Sequence, residues 1–400
     1  MKEAGIRALE MAEFSPEHLG SFGSSLLSLG SRLVGSGNEM TLVLPERKWW
    51  AKVFEDEGCR VEIVPSEGYP FGLREIRRID RVMAKHRINL VHTHFGASHL
   101  WMASILKILR YPDISIVAHW RGGPARPNAL KAILGGAWYR FLDRQAVSAH
   151  VANSILIRDK LAELGIAGKD RLLCIHNGID TKQFEPEVVA GMREELSLRP
   201  DDIVIIHPRN FRKAVDFDLI VNAQRLVAER TERHICFIYI GEGEERGRIE
   251  NLASGIGNCR TIFLGTRLDI ERLFATADLT LVSWEPWCGE SVNNSVYESL
   301  AMGVPLVGAN TGALSRLFGP EHGVCAVDPT PEAYSEAIES MLGSLPEWRA
   351  RARGAGRNRI LDSFSIERWS ETMFKLYEAL TDSGTGKPGA GFPSLSGTGD

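Results

Sequence analysis

The chain has 400 residues, 44% of them apolar and 24% charged, a soluble globular composition too long for one ordinary core, so two domains are expected. A formal net charge of −4 excludes the basic balance that a nucleic-acid-binding surface needs. No uncharged apolar run is long enough to span a membrane, and the N-terminus lacks the cationic start and apolar core of a signal peptide.

The cysteines, Cys59, Cys174, Cys236, Cys259, Cys288 and Cys325, are scattered with no CxxC pair. That usage fits reduced thiols in a cytosolic enzyme, and neither a metal nor a disulfide framework is expected.

Ile6 to Met11 predicts the first strand, and His18-Leu-Gly-Ser-Phe-Gly23 a glycine-rich turn into a helix. Gly20 and Gly23 would let the backbone approach a diphosphate closely, although a plain strand-to-helix turn reads the same way. The helix runs from Ser24 to Val34, with Leu26, Leu27, Leu29 and Leu33 on one side, and stops at Gly35-Ser-Gly37. Strands follow at Met40 to Leu44, Val61 to Val64, Leu90 to His92, Ile114 to Ala118 and Ala149 to Ala152, with helical stretches between them. This alternation is that of a parallel sheet wound with helices.

One of those helices, Leu73 to Arg87, carries Arg74, Arg77, Arg78, Arg81, Lys85 and Arg87 around an apolar stripe. It reads either as a surface for an anionic bilayer or as a sheet-covering helix whose charged face is solvated, with Glu75 and Asp80 diluting the charge.

Two strands run into histidines, at His92-Thr-His94 and at His119-Trp-Arg121. Polar groups at strand C-termini are site candidates in open α/β sheets, while a lone histidine there is more often simply hydrogen-bonded in place, the reading kept for His94. The loop Gly122 to Asn128, with Pro124 and Pro127, and Arg121 before it are candidates to border a cleft for a phosphate or a second substrate. Ile175-His-Asn-Gly-Ile-Asp180 is a strong turn signal, and the polar stretch Pro186 to Pro200, with a short helix, is expected to link the domains.

The second half restarts with the strand Ile203 to His207, followed by Pro208-Arg-Asn-Phe-Arg-Lys213, where Arg209, Arg212 and Lys213 crowd a strand end in a way that suits a diphosphate. Cys236 to Ile240 runs into Gly241-Glu-Gly243-Glu-Glu-Arg-Gly247, which imitates a dinucleotide fingerprint with the wrong spacing and no acidic residue closing a second strand. A nicotinamide-dependent oxidoreductase is therefore set aside. Next come Ile262 to Gly265, the segment Ile270 to Asp278, and the buried strand Leu279 to Val282. That strand opens the stretch Ser283 to Gly312. Asn293 and Asn294 there are good N-caps for a helix from Ser295 to Met302, and Glu298 on that helix stands eight positions after Glu290 in the preceding loop. The exposed N–H groups of such a helix start form an anion site flanked by two carboxylates fit to hold sugar-nucleotide hydroxyls. Taken bare, two glutamates at that spacing also fit a surface pair with no joint task.

The run from Glu290 through Glu298-Ser-Leu-Ala-Met-Gly-Val-Pro-Leu-Val resembles the signature of the retaining, nucleotide-sugar-dependent glycosyltransferases of family four, and Asn177-Gly-Ile-Asp180 followed by Phe184 resembles a second hallmark of that family. The resemblance covers about residues 5 to 380. It implies the GT-B fold, two facing Rossmann-like α/β domains, with a C-terminal helix crossing back to the first. The expected limits are 1–186 for an acceptor-side domain, 187–364 for a donor-binding domain, 365–380 for the crossover helix and 381–400 for a disordered tail. By the same resemblance Glu290 and His119 hold the donor sugar, Glu298 the ribose, and the Ser291 to Ser295 loop, with Asn293 and Asn294, the sugar and phosphates. Gly20 and Gly23 lie against the diphosphate, and the loop around Gly265 and Thr266 borders the base. An arginine and a lysine neutralise the departing diphosphate. Lys213 matches the lysine, while Arg209 and Arg212 both remain candidates for the arginine because the interval is irregular and Ala214 replaces the usual glycine. After Gly312, Ala313 and Arg316 also depart from the family pattern.

The resulting expectation is transfer of a sugar from a UDP- or GDP-sugar to an acceptor hydroxyl with retention of configuration, in cell-surface polysaccharide or glycolipid assembly. The donor is a substrate, with no further cofactor and no metal required. The acceptor would be a glycan or a lipid-linked molecule, and the setting cytoplasmic, with peripheral contact at the inner membrane face left open. A sugar-nucleotide epimerase of the same fold and a catalytically silent nucleotide-sugar-binding protein are the rivals.

Overall fold

The structure, a computed structural model, describes residues 5–12, 18–66, 72–95, 97–122, 140–141, 144–283 and 291–382. Glu290, Cys288, most of the Gly122 to Asn128 loop and the tail from Ser383 onward lie outside these residues.

Two compact units divide the chain, one comprising Met1–Gly178 with Ile366–Asp400 and the other Ile179–Ser365. The division falls inside the Asn177 to Asp180 turn, ahead of the expected boundary at Pro186. Ile179 already belongs to the second unit, where its N–H donates to the Phe364 carbonyl at 2.8 Å. The stretch from Pro186 to Pro200 is a series of turns with no helix.

The first unit contains β1 (Arg7–Ala12), α1 (Gly20–Gly35), β2 (Glu39–Leu44), α2 (Ala51–Asp56), β3 (Arg60–Ile63), α3 (Leu73–His86), β4 (Leu90–His94) and α4 (Ala97–Leu109). It continues with β5 (Ser115–Trp120), β6 (Ala149–Ala152), α5 (Ile155–Glu163) and the short edge strand β7 (Leu172–Cys174), which the sequence reading does not single out. The seven strands pair in the order β3-β2-β1-β4-β5-β6-β7, every pair parallel. Alternation along β1 sends Leu9 and Met11 to the face covered by α3 and α4, and Ala8 to the face covered by α1 and the last helix of the chain.

The α1 helix starts at Gly20, so Gly23 is an interior helical residue and not a loop glycine. A β-carbon at Gly23 would press on the Leu19 side chain, which gives this glycine a packing role. On α3, Ile79, Val82 and Met83 are buried in the core, while Arg74, Arg77, Arg81 and Lys85 are exposed. Its apolar stripe is therefore largely taken up by the sheet, and the exposed face is charged apart from Leu73 at the helix start.

The second unit contains β8 (Ile203–Pro208), α6 (Phe217–Arg230), β9 (Ile235–Ile240), α7 (Arg246–Ala253), β10 (Cys259–Phe263), α8 (Ile270–Thr276), β11 (Leu279–Val282) and α9 (Asn294–Ala301). After these come β12 (Leu306–Ala309), α10 (Ala313–Leu317), β13 (Val324–Val327), α11 (Pro331–Gly343), α12 (Leu345–Arg351) and α13 (Arg357–Ser363). Its six strands run β10-β9-β8-β11-β12-β13, again all parallel. The last helix, α14 (Ile366–Asp382), returns to the first unit as expected and extends past the predicted end at Leu380. It buries Ile366, Trp369, Met373, Leu376, Tyr377 and Leu380, an amphipathic spacing, and Ser370 receives a hydrogen bond from Ser28 of α1 at 3.1 Å.

Candidate functional site

Parallel strands deliver all their C-terminal loops to one sheet edge, and each unit concentrates its polar groups there. In the second unit these loops are stitched together by their backbones. The Arg209 N–H donates to the Ile240 carbonyl at 2.8 Å, the Phe211 N–H to the Glu242 carbonyl at 3.0 Å, and the Gly241 N–H to the Gly265 carbonyl at 2.8 Å. Gly241 (φ +142°) and Gly243 (φ +155°) pass so close to the carbonyls of Arg209 and Phe211 that no β-carbon fits. The glycine pattern that imitates a dinucleotide fingerprint thus serves the close crossing of two loops.

The basic loop is joined to α9. Arg209 donates from Nη1 to the Asn293 Oδ1 at 2.9 Å. Asn293 stands at the N-cap position as expected but makes no side-chain cap, because its amide oxygen is turned to the arginine. Asn294 begins the helix, Ser291 is half-buried just before it, and Glu298 is half-buried one turn further on. Arg212 and Lys213 are exposed in the β8–α6 loop, and of the two arginines Arg209 is the one held to α9. Gly265, buried and with φ +70°, follows β10, with Thr266 exposed beyond it. The structure therefore gathers Arg209, Asn293, Asn294 and Gly265 on one edge of one sheet, with Glu298 on the helix that edge carries.

In the first unit the register brings a second set together. Glu10 on β1 lies opposite His92 on β4, and His94 on β4 lies opposite His119 on β5. All four point to the face covered by α1 and α14, and all are buried, His119 at 4% exposure. His119 is thus a residue within β5, whereas the sequence reading sets it after the strand. The His94 Nε2 donates to Glu10 at 2.8 Å, and the Tyr377 hydroxyl of α14 donates to the other Glu10 oxygen. The His92 Nδ1 meets the Tyr377 oxygen at 2.5 Å, and its Nε2 lies 3.2 Å from the His119 Nδ1.

Burial would raise the Glu10 carboxyl, but the imidazoles of His92 and His94 beside it outweigh that and hold Glu10 well below the usual carboxylate range. Burial, with His92 beside it, pushes His94 down to about 3. Burial also lowers His119 well below its ordinary value, helped by the positive charge of Arg121. Tyr377 is raised well above its ordinary value by burial and by the Glu10 charge, so it keeps its proton.

Arg121, just past β5, stacks 4.2 Å over the Phe22 ring and donates from Nη1 to Asn177 at 3.1 Å. Burial lowers it to about 9, so it stays cationic at neutral pH. Several shielded polar atoms at this edge have no hydrogen-bond partner: the His94 Nδ1, the His119 Nε2, the Arg121 Nε and Nη2 and the Asn153 Oδ1. Unsatisfied buried groups in such a cluster are what a polyhydroxylated ligand would complete.

His92, His94 and His119 also each offer a nitrogen within 4.8 Å of the others, a spacing compatible with a metal ion. The His92 and His119 rings, however, lie within 5° of coplanar, the geometry of an in-plane hydrogen bond between them. The cluster as it stands is hydrogen-bonded. Sequence reasoning did not find Glu10 or Tyr377, and it named His92 only as part of a strand end. The one available signal was a glutamate inside an otherwise apolar strand, Leu9-Glu10-Met11.

Both units are parallel α/β sheets wound with helices, each with a polar C-terminal edge, an architecture that resembles solved GT-B glycosyltransferases. Residues 23–183 match Glycosyltransferase Family 4 and residues 202–344 match Glycosyl transferases group 1. The chain belongs to the family-four glycosyltransferases. It is 23% identical over 372 residues, 90% of this chain and 94% of its relative, to the N-acetyl-alpha-D-glucosaminyl L-malate synthase of Bacillus anthracis. It is 22% identical over 384 residues, 94% of this chain and 97% of the relative, to a GDP-mannose-dependent alpha-(1-6)-phosphatidylinositol dimannoside mannosyltransferase of Mycobacterium tuberculosis. The Anabaena protein Alr3699/HepE, solved in complex with UDP, has a TM-score of 0.77 at 16% identity, covering 94% of this chain and all (100%) of its own.

Among the described residues no helix is long and apolar enough to cross a membrane. Cys59, Cys174, Cys236, Cys259 and Cys325 are free thiols, each pushed up by burial, which leaves little thiolate for chemistry.

Proposed function

We propose that this glycosyltransferase moves a sugar from a nucleoside-diphosphate sugar to an acceptor hydroxyl, with retention of anomeric configuration. The observation that carries the reading is the Arg209–Asn293 bond, which holds a guanidinium at the side-chain-uncapped start of α9. A fixed cation and a helix N-terminus together suit a diphosphate whose charge grows as the sugar leaves. Lys213 and Arg212, exposed in the same loop, supply further positive charge, so the transfer requires no metal. Glu298 takes the ribose hydroxyls, and Gly265 borders the base. Glu290 and His119 hold the donor sugar, and the retained configuration follows if the acceptor proton goes to the departing phosphate on the same face.

The donor class finds support in the relatives, one of them GDP-mannose-dependent and one solved with UDP. An acceptor that is a glycan or is attached to a lipid, in glycolipid or polysaccharide assembly, is in keeping with the phosphatidylinositol dimannoside mannosyltransferase. Arg121 lies on the acceptor side. The exposed basic face of α3 offers peripheral contact with an anionic membrane.

The test is a thermal-shift and donor-hydrolysis screen of UDP-, GDP- and ADP-sugars on wild type, Glu290→Ala and Lys213→Ala. One donor should stabilise the wild type and be slowly hydrolysed, with hydrolysis lost in both variants. If no nucleotide sugar shifts the melting temperature, the reading is wrong.

A further inference from the structure

We propose that Glu10 and Tyr377 are positioning residues that act through His92 to fix which ring nitrogen of His119 carries the proton, so that His119 offers its Nε2 to the sugar as a hydrogen-bond acceptor. The inference rests on the reading of His119 as a sugar contact and adds to it the polarity of that contact.

The argument follows the protons from one strand to the next. An ionised carboxylate only accepts, so the Tyr377 hydroxyl must spend its single proton on Glu10. The Tyr377 oxygen is then an acceptor toward the His92 Nδ1, which must carry a hydrogen, and that nitrogen also lies 3.1 Å from the Glu10 Oε2. If His92 is neutral, its Nε2 is bare and accepts from the His119 Nδ1 across 3.2 Å. A neutral His119 so arranged has a bare Nε2, the buried atom that has no partner within the protein.

Charge balance favours the arrangement with a single hydrogen on the His92 ring. The groups facing this imidazole are Glu10 on β1, His94 on the same strand, His119 on β5 and Tyr377 on α14, with the ring of Trp369 of α14 stacked beyond His119 and the Arg121 guanidinium 5.8 Å from that ring. Among them Glu10 and Arg121 already cancel, and a further buried cation on His92 would stand uncompensated. The opposite arrangement, a doubly protonated His92, would push a hydrogen toward the His119 Nδ1 and turn the Nε2 into a donor. The network therefore has two states of opposite polarity at one atom, and Glu10 with Tyr377 selects between them by holding the His92 proton on Nδ1.

The experiment is long-range proton–nitrogen NMR of the imidazoles in the full chain labelled with 15N at histidine, with His119→Gln to assign the signal. Wild type at neutral pH should show His119 protonated at Nδ1 and bare at Nε2. In Glu10→Gln, and more weakly in the nearly isosteric Tyr377→Phe, the His119 nitrogens should move toward a tautomer mixture. Alongside, kcat for donor hydrolysis should fall roughly tenfold, with KM for the donor within about twofold, and Glu10→Asp should restore part of it. If Glu10→Gln does not fold, Tyr377→Phe carries the test. A wild-type His119 with its proton on Nε2, or His119 nitrogens unmoved in a folded variant, overturns the proposal. Absence of turnover with any nucleotide sugar instead overturns the functional reading, and the tautomer measurement stands apart from it.

Discussion

A β-carbon on Gly241 would collide with the carbonyl oxygen of Arg209, so the turn after β9 and the basic loop after β8 can cross only because this position is glycine. Its φ of +142° is a second reason, since L side chains rarely adopt it. Gly241→Ala should therefore destabilise the second unit by about 1–3 kcal/mol and displace Arg209. Urea unfolding together with nucleotide titration checks both. An unchanged midpoint with unchanged affinity would mean that the loops yield at no cost.

Asn293 holds Arg209 by its amide oxygen instead of capping its own helix. In Asn293→Ala the arginine loses that anchor, and nucleoside diphosphate binding should weaken by about tenfold or more, in line with hydrogen bonds to charged groups worth about 1.5–3 kcal/mol. Calorimetric titration reads this directly. Asn293→Asp should behave differently, because a carboxylate at this N-cap both pairs with Arg209 and competes with the ligand's phosphates.

His207 lies buried on β8 between the rings of Phe217 (5.2 Å) and Tyr239 (5.8 Å), with neither ring nitrogen hydrogen-bonded. Burial, with Arg209 nearby, pushes it down to about 3, against about 6.5 for an unfolded histidine. Between those values the unfolded chain binds the proton and the folded one does not, so the stability contribution is fully present above about pH 6.5 and is lost as pH falls toward 3. His207→Phe should flatten this slope and be neutral or stabilising at pH 7, since no hydrogen bond is given up. Urea midpoints at intervals from pH 7 to pH 4 decide it; a variant with the same slope as wild type would remove His207 as the cause.

Tyr334 of α11 donates its buried hydroxyl to the Val282 carbonyl at 2.7 Å, fixing the end of β11 eight positions before Glu290 in sequence. Tyr334→Phe leaves that carbonyl unsatisfied and should lower stability by about 1–2 kcal/mol. Chemical denaturation measures the loss.

The strands were legible because each is a short β-branched or apolar run ended by polar or glycine residues, as Leu279 to Val282 shows: the expected and observed limits coincide. Local signals of this kind depend only on neighbours in sequence. The helix start at Gly20 was missed for the same reason, since a glycine in the first turn of a helix and one in a loop leave the same trace, and at Gly23 only the packing of Leu19 distinguishes them. The glycines that imitate a fingerprint, Gly241 and Gly243, have a packing task, passing beside Arg209 and Phe211, that is visible only in three dimensions. Arg209 and Asn293 were each named without a hint that they touch. Glu10 and Tyr377 escaped notice, and His92 was named without its partners, because their meaning lies in strand register and in a helix contributed from the far end of the chain.

That helix sets an order of assembly. The first unit is interrupted by the whole of the second, and the hydroxyl that meets Glu10 comes 367 positions later. A ribosome making this chain releases the sheet of the first unit with one face still lacking α14 and the Glu10 carboxylate still hydrated. The uninterrupted second unit has all its residues, and can close, before α14 is made. The part of the enzyme synthesised first is thus completed last, and a nascent chain stalled before Ile366 would hold a finished second unit and an open first one.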